Sequence, residues 1–234
     1  MNNTPADTPS LSSSDLRRMV YSRFAIALVV LPLFFFLPAG TLRYWEAWIY
    51  LAILLIPVFF AMRYLLKHDP TFLERRMRTR EQQAPQKLVI KLSFLWFFLV
   101  FILPGFDQRF GWSDVPIVVV LAADLLVLIG YAVILRVFQE NRYASRVVEV
   151  ADGQPVIQSG PYAIIRHPMY FGTVLMYLAT PVALGSWWAL LPALLIVPIL
   201  VLRILNEEKV LAEQLPGYRE YMQKTRYRLI PGVW

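Results

Sequence analysis

From Phe24 onward, aliphatic and aromatic side chains run almost unbroken in long stretches separated by short polar punctuation. Six apolar runs stand out: Phe24 to Leu37, Tyr44 to Leu66, Leu88 to Leu103, Val115 to Leu135, Tyr170 to Leu184 and Trp187 to Leu205. Several approach the ~20 residues that a helix needs to cross roughly 30 Å of hydrocarbon. The pattern predicts an all-α, polytopic integral membrane protein of about six transmembrane helices. The first run is short and contains Pro32, which a span tolerates because neighbouring helices satisfy the freed carbonyl. Ahead of it, MNNTPADTPSLSSSD is rich in Ser, Thr, Pro and Asn and lacks a basic region leading into a cleavage site. Residues 1–20 are therefore expected to be a disordered tail rather than a signal peptide. Residues 21–138 then hold the N-terminal spans and 139–234 the remainder.

Composition agrees with a bilayer setting. Of the 234 residues 58% are apolar and 17% charged, and the mean hydropathy is +0.51. Charge tests the span count independently. With six spans the two faces alternate, and of the 23 Lys and Arg residues only Arg43 and Arg109 fall on the outer face. The rest cluster in the N-terminal segment, in ERRMRTR, between Arg136 and Arg166, and after Arg203. By the positive-inside rule both termini are expected in the cytoplasm, with the protein in a bacterial inner membrane or its equivalent. The net charge of +7 is thus accounted for by topology and by contact with membrane lipids, and no aromatic-basic motif speaks for nucleic acid. There is no Cys, and the two histidines, His68 and His167, stand apart. Disulfides and thiol chemistry are excluded, and no metal centre is expected.

One polar stretch interrupts the second half: SGPYAIIRHPMYFG, from Ser159. Pro168 suits the first turn of a helix, where its missing N–H would have had no partner. The fifth and sixth runs are joined by the corner Gly185 to Trp187, which predicts a C-terminal helical hairpin. At ~1.5 Å per residue a helix returns to its starting level over about the length it rose. Glu207 and Glu208 should therefore arrive beside Arg166, His167 and Tyr170. The upstream segment RVVEVADGQPVIQSGPY has short β-like pieces broken by Asp-Gly and should cover this cluster. A cation, helix-start amides, the small Gly160 and Gly172, tyrosine hydroxyls and two carboxylates together suit a zwitterionic ligand.

The combination of GPY, RHPMYFG, a hairpin and NEEKVLAEQLPGYREYMQKTRYRLIP resembles the membrane-embedded isoprenylcysteine carboxyl methyltransferase family and its phospholipid N-methyltransferase relatives. The resemblance covers roughly the last 100 residues. It implies S-adenosyl-L-methionine as cofactor, bound in a cytoplasmic site by Gly160, Tyr162, Arg166, His167, Pro168, Tyr170, Gly172, Glu207 and Glu208. It also implies that residues 139–234 form the cofactor half and 21–138 the acceptor side. By position, Arg136, Asn141 and Arg142 are candidates to meet an anionic, lipophilic or small-molecule acceptor.

Three readings stand at this point. The first is methylation of a carboxylate on a small or lipophilic acceptor. The second is N-methylation of a phospholipid or S-methylation of a thiol. The third is a non-enzymatic membrane protein, or a reductase of related fold, in which the motif serves packing. Plainer roles compete residue by residue. Arg166 could be a positive-inside anchor, and Arg203 and Glu207 an i, i+4 ion pair; Trp187 and Trp188 read as interfacial aromatics. His167 could simply place the backbone ahead of Pro168, and the segment PGYREYMQKTRYRLIP reads as an interfacial helix without catalytic groups. Asp124, inside the fourth run, marks either function or a polar contact between helices.

Overall fold

The computed structural model describes residues 12–77, 84–144 and 150–234, with side chains from residue 96 onward in the helix that begins at Ala84. The regular elements of the described chain are all helical: α1 (Ser13–Ala39), α2 (Trp45–His68), α3 (Pro70–Met77), α4 (Ala84–Phe110), α5 (Ile117–Glu140), a 3-10 turn (Gly160–Ala163), α6 (Pro168–Ala183), α7 (Leu190–Ala193), α8 (Ile196–Gln214) and α9 (Tyr218–Lys224).

Local chemistry explains the helix ends. Ser12 accepts from the Asp15 amide at 3.1 Å and starts α1, so residues 13–20, expected in a tail, are helical. Glycine ends the same helix: Gly40 at φ 65° donates its amide to Phe36 and Leu37 carbonyls. Asp69 closes α2 and accepts from the Phe72 amide at 3.1 Å, which opens α3 within one residue. Pro168 occupies the first turn of α6, as the sequence predicts.

All six apolar runs fall on helices. Among the described residues, however, four helical stretches are long and apolar enough to cross a membrane: Ser13–Ala39, Trp45–His68, Ile117–Glu140 and Leu190–Gln214. With 16 residues α6 reaches only ~24 Å. The last apolar run is also not one smooth helix, because α7 and α8 are separate elements around Pro192 and Pro198.

Aromatic rings pack at the centre of the interior. Phe35 and Phe101 stack at 5.7 Å, Phe97 on Phe101 at 4.1 Å, and Tyr50 donates or accepts at Thr180 Oγ1 over 2.7 Å. The outward faces of α1, α2 and α5 expose Val29, Leu37, Phe60, Val118 and Leu125, as lipid contact requires. At the end opposite the candidate site, buried Asp107 accepts from the Ser113 amide and hydroxyl, both at 2.7 Å, and from Ser186 Oγ. That carboxylate ties the end of α4 to the corner after α6.

A close helix crossing joins α5 to α6 at two glycines. A Cβ on Gly130 would lie 2.8 Å from the Gly172 carbonyl oxygen, and one on Gly172 would lie 2.9 Å from that of Gly130. Gly172 thus serves helix packing, and its partner Gly130 was not singled out in the sequence.

Candidate functional site

The structure joins the start of α6, the last turns of α8 and the segment after α9. Arg166 donates through Nε to Glu208 Oε1 at 2.6 Å and through Nη1 to the carbonyls of Thr225 and Arg226 at 2.7 and 2.8 Å. His167 Nε2 lies 3.3 Å from the same carboxylate oxygen. Arg228 Nε donates to the other, Oε2, at 2.8 Å. Glu208 is 4% exposed and Arg166 6%. Three partners on one buried carboxylate hold it ionised and leave it little capacity for a ligand.

The backbone reinforces this node. Arg166 and His167 donate their amides to the carbonyls of Tyr227 and Arg228, each at 2.9 Å. Two amides at the helix start, expected to face a ligand, therefore hold the C-terminal segment instead. Those of Met169 and Tyr170, in the first turn of α6, are outside the helix's own ladder.

Glu207 faces elsewhere. Tyr170 donates its hydroxyl to Glu207 Oε2 at 2.5 Å and accepts from Arg203 Nε at 2.8 Å. Arg203 and Glu207, whose spacing also suits an intrahelical ion pair, are bridged by a tyrosine hydroxyl. Beside them lies a cavity of about 100 Å³. Its polar wall contains Asn141, Tyr162, Arg166, His167, Tyr170 and Glu207; Pro155, Val156, Leu211 and Leu215 supply apolar surface, and Tyr218 and Tyr221 aromatic surface.

Loops and the helix α9 position these walls. Asn141 ends α5 and donates from Nδ2 to the Tyr162 hydroxyl at 2.9 Å. Tyr221 donates to the Tyr162 carbonyl at 2.7 Å. Burial pushes the Tyr162 hydroxyl up to about 12, with the Glu207 charge adding to it and the Asn141 hydrogen bond and Arg76 charge opposing it. Burial raises Tyr218 and Tyr221 as well. These phenols stay protonated near neutrality and act as hydrogen-bond groups, not bases.

The expected site residues therefore separate by place. Tyr162, Arg166, His167, Pro168, Tyr170, Glu207 and Asn141 line the cavity. Glu208 sits behind the wall in the charge node. Gly160, at φ 57°, packs against Glu140, whose Oε2 would lie 2.7 Å from an added Cβ. Arg136 pairs with Glu140 at 3.3 Å and Arg142 with Asp69 at 3.6 Å, both outside the wall. The upstream covering segment contains the expected turn, Gln154 amide to Ala151 carbonyl at 3.1 Å, and residues 154–157 line the cavity. No strand occurs there among the described residues, and 145–149 lie outside them. Pro155 has no amide to donate to a ladder.

Arg228, Tyr218 and Tyr221 were not singled out by sequence reasoning. The C-terminal segment was read as an amphipathic surface piece, and nothing in its local pattern says that one arginine among several turns inward.

Residues 118–216 match the phospholipid methyltransferase family model. The match covers less than half of the chain, but it runs from α5 to the end of α8 and contains every cavity-lining residue except Tyr218 and Tyr221. It is consistent with the broader group of membrane methyltransferases that the RHP and Glu-Glu motifs resemble, and it does not single out the isoprenylcysteine carboxyl methyltransferases. No curated protein matches the chain.

Proposed function

We propose that the protein is a membrane-embedded, S-adenosylmethionine-dependent methyltransferase acting on a lipophilic acceptor, with the amine of a phospholipid headgroup as the first choice of acceptor. One observation carries this: the stretch matched to phospholipid methyltransferases coincides with the wall of the polar cavity.

The donor set fits the cofactor. Glu207 offers an acceptor for an ammonium or ribose hydroxyl, and the first-turn amides of Met169 and Tyr170 favour a carboxylate. The tyrosine and leucine walls suit a flat ring system and a sulfonium, which aromatic faces attract. The cofactor, once bound, supplies an already activated methyl group, so the protein needs no nucleophile of its own. What the chain must provide is alignment and exclusion of water. Glu207 or His167, both in the wall, can take the proton that an amine sheds. With both termini in the cytoplasm, as the charge distribution leads one to expect, this site would face the cytoplasm, where a soluble cofactor has access.

Methylation of a carboxylate is the second reading, favoured by the resemblance of RHPMYFG and the Glu-Glu pair to the carboxyl methyltransferases. Two measurements test the proposal. Labelled S-adenosylmethionine should bind the detergent-solubilised protein saturably; no binding would return the motif to a packing role. Single-turnover rates then separate the acceptors. An amine near pKa ~10 must lose its proton, so its rate should climb with pH between about 6.5 and 8.5, whereas a carboxylate near ~4 gives a flat profile.

A further inference from the structure

We propose that Arg75 and Arg76 on α3, together with Arg142 after α5, form a receptor at the rim of the cavity for the phosphate of a lipid headgroup. The purpose of such a receptor rests on the methyltransferase reading; its geometry does not.

The short helix α3 is held firmly in place. Asp69 caps it, Phe72 packs edge-on to Phe138 at 5.2 Å, and Leu73 is buried in a cluster with Leu16, Val20 and Met62. Its other side carries the two arginines towards the cavity. Arg76 lies 4.8 Å over the Phe138 ring and places Nη1 3.7 Å from Met169 Sδ. Its charge also reaches the Tyr162 hydroxyl. Arg75 lies 5.4 Å over the Tyr143 ring and donates from Nη1 to the Arg142 carbonyl at 3.4 Å. Met169, Tyr143 and Tyr162 all line the cavity, so both guanidinium groups lean on its wall from outside.

Three arginines share this rim: Arg75 and Arg76 are neighbours on α3, and Arg75 reaches the backbone carbonyl of Arg142. Asp69 is 3.6 Å from Arg142, whose side chain is 78% exposed, and Glu74 and Arg76 engage in further interactions of their own. Grouping like charges costs energy that a bound anion returns, and the arginine fork matches the oxygens of a phosphate. The position argues for a lipid phosphate over a soluble one. The receptor follows directly on the end of α2, after Lys67 and His68, where a membrane-crossing helix leaves the hydrocarbon and headgroups lie. A phosphate anchored at this rim would place the rest of its headgroup towards the cavity. Of the residues that position alone suggested for the acceptor, the structure keeps Arg142 at this rim and pairs Arg136 with Glu140 instead.

The test uses the full chain in an uncharged detergent. Dioctanoyl phosphatidylethanolamine, dioctanoylglycerol with the same chains but no phosphate, and inorganic phosphate are titrated separately by calorimetry, with labelled S-adenosylmethionine binding measured in parallel. The wild type should prefer the phosphatidylethanolamine over the diacylglycerol by at least about tenfold, the scale of one charge-assisted hydrogen bond. Arg76→Gln and the double change Arg75→Gln/Arg76→Gln should erase that preference while cofactor affinity stays within about twofold of wild type. A wild type with no preference overturns the receptor even if the variants fail to fold. So does a preference that survives both substitutions, and so does inorganic phosphate competing as well as the lipid, which would make the ligand a soluble oxyanion. Intact lipid preference with no cofactor binding would support the receptor and sink the methyltransferase reading.

Discussion

Glu207 and Glu208 are adjacent in sequence, and the structure gives them different work, which a pair of substitutions can separate. Glu208→Ala removes the acceptor of two arginines and a histidine at 2.6, 2.8 and 3.3 Å. Arg166, with a side chain 4% exposed, would keep two carbonyl partners but lose its counter-charge. Breaking a buried ion pair from one side costs about 3–5 kcal/mol, against ~0–1 kcal/mol for a surface pair. Glu208→Ala should therefore destabilise the folded protein by roughly 3–5 kcal/mol. Glu207→Gln keeps an oxygen that can accept from Tyr170, so its cost should stay near that of one ordinary hydrogen bond, about 0.5–1.5 kcal/mol. Its effect should appear in S-adenosylmethionine affinity, as a loss of about 10- to 100-fold when a charged partner is removed. The assays are denaturant unfolding in detergent and equilibrium binding of labelled cofactor at low temperature. Adding Arg166→Met to Glu208→Ala should recover part of the lost stability, because the stranded charge is removed with its partner. A Glu208→Ala variant within about 1 kcal/mol of wild type that nonetheless binds no cofactor would refute this division and make Glu208 a ligand contact.

Three further outcomes are expected. Tags on both termini should be reachable from the cytoplasmic side and labels near Arg43 or Arg109 from outside; an externally accessible C-terminus would overturn the cytoplasmic placement of the termini expected from the charge distribution. Gly172→Leu should separate α5 from α6 and cost at least about 1–3 kcal/mol, measured by unfolding in detergent, since even a Cβ would lie 2.9 Å from a backbone oxygen; an unchanged stability would mean that the crossing is loose. Asp124 is 3% exposed and neither carboxylate oxygen has a partner among the described residues, so Asp124→Leu should stabilise the protein by about 1–3 kcal/mol, and a destabilised variant would show that this carboxyl has a polar partner in the membrane.

Much of the architecture is legible in the sequence because a bilayer imposes a severe rule: backbone groups in hydrocarbon must be satisfied within the segment, so a long apolar run has to be a helix. The same rule made the meeting of Arg166 with the Glu207–Glu208 pair foreseeable, from nothing more than the equal rise of two helices. Facing was not foreseeable. Consecutive residues on a helix point about 100° apart, so when both carboxylates reach the correct level, one turns to the cavity and the other to the node, and the rotation that decides this is set by packing. Glycines were ambiguous for a similar reason. Gly160 and Gly172 could equally permit a ligand or a neighbour to approach, and each proves to make room for protein: Glu140 in one case, the backbone of Gly130 in the other. The extension of α1 back to Ser13 was hidden by its Ser-rich composition, which reads as disorder when the Ser12 cap and the burial of Leu16 and Val20 are not in view.

The charge node also explains why so polar a stretch sits in so apolar a chain. If the cavity takes a charged, water-soluble cofactor, as proposed, it needs walls that do not shift when the cofactor leaves, and here those walls come from α6, α8 and the segment around α9, which are far apart in sequence. Apolar packing alone specifies their relative position weakly, since lipid competes for the same surfaces and no hydrophobic force acts between helices in hydrocarbon. A carboxylate with three directional donors specifies it strongly: Glu208 on α8 fixes Arg166 and His167 ahead of α6 and Arg228 after α9 in one arrangement. Removing those charges from water is costly, and the Thr225 and Arg226 carbonyls offset part of that cost by completing the Arg166 fork. On the proposed methyltransferase reading, the node does structural work so that Glu207, Tyr170 and Tyr162, one layer inward, would meet the cofactor in a fixed geometry.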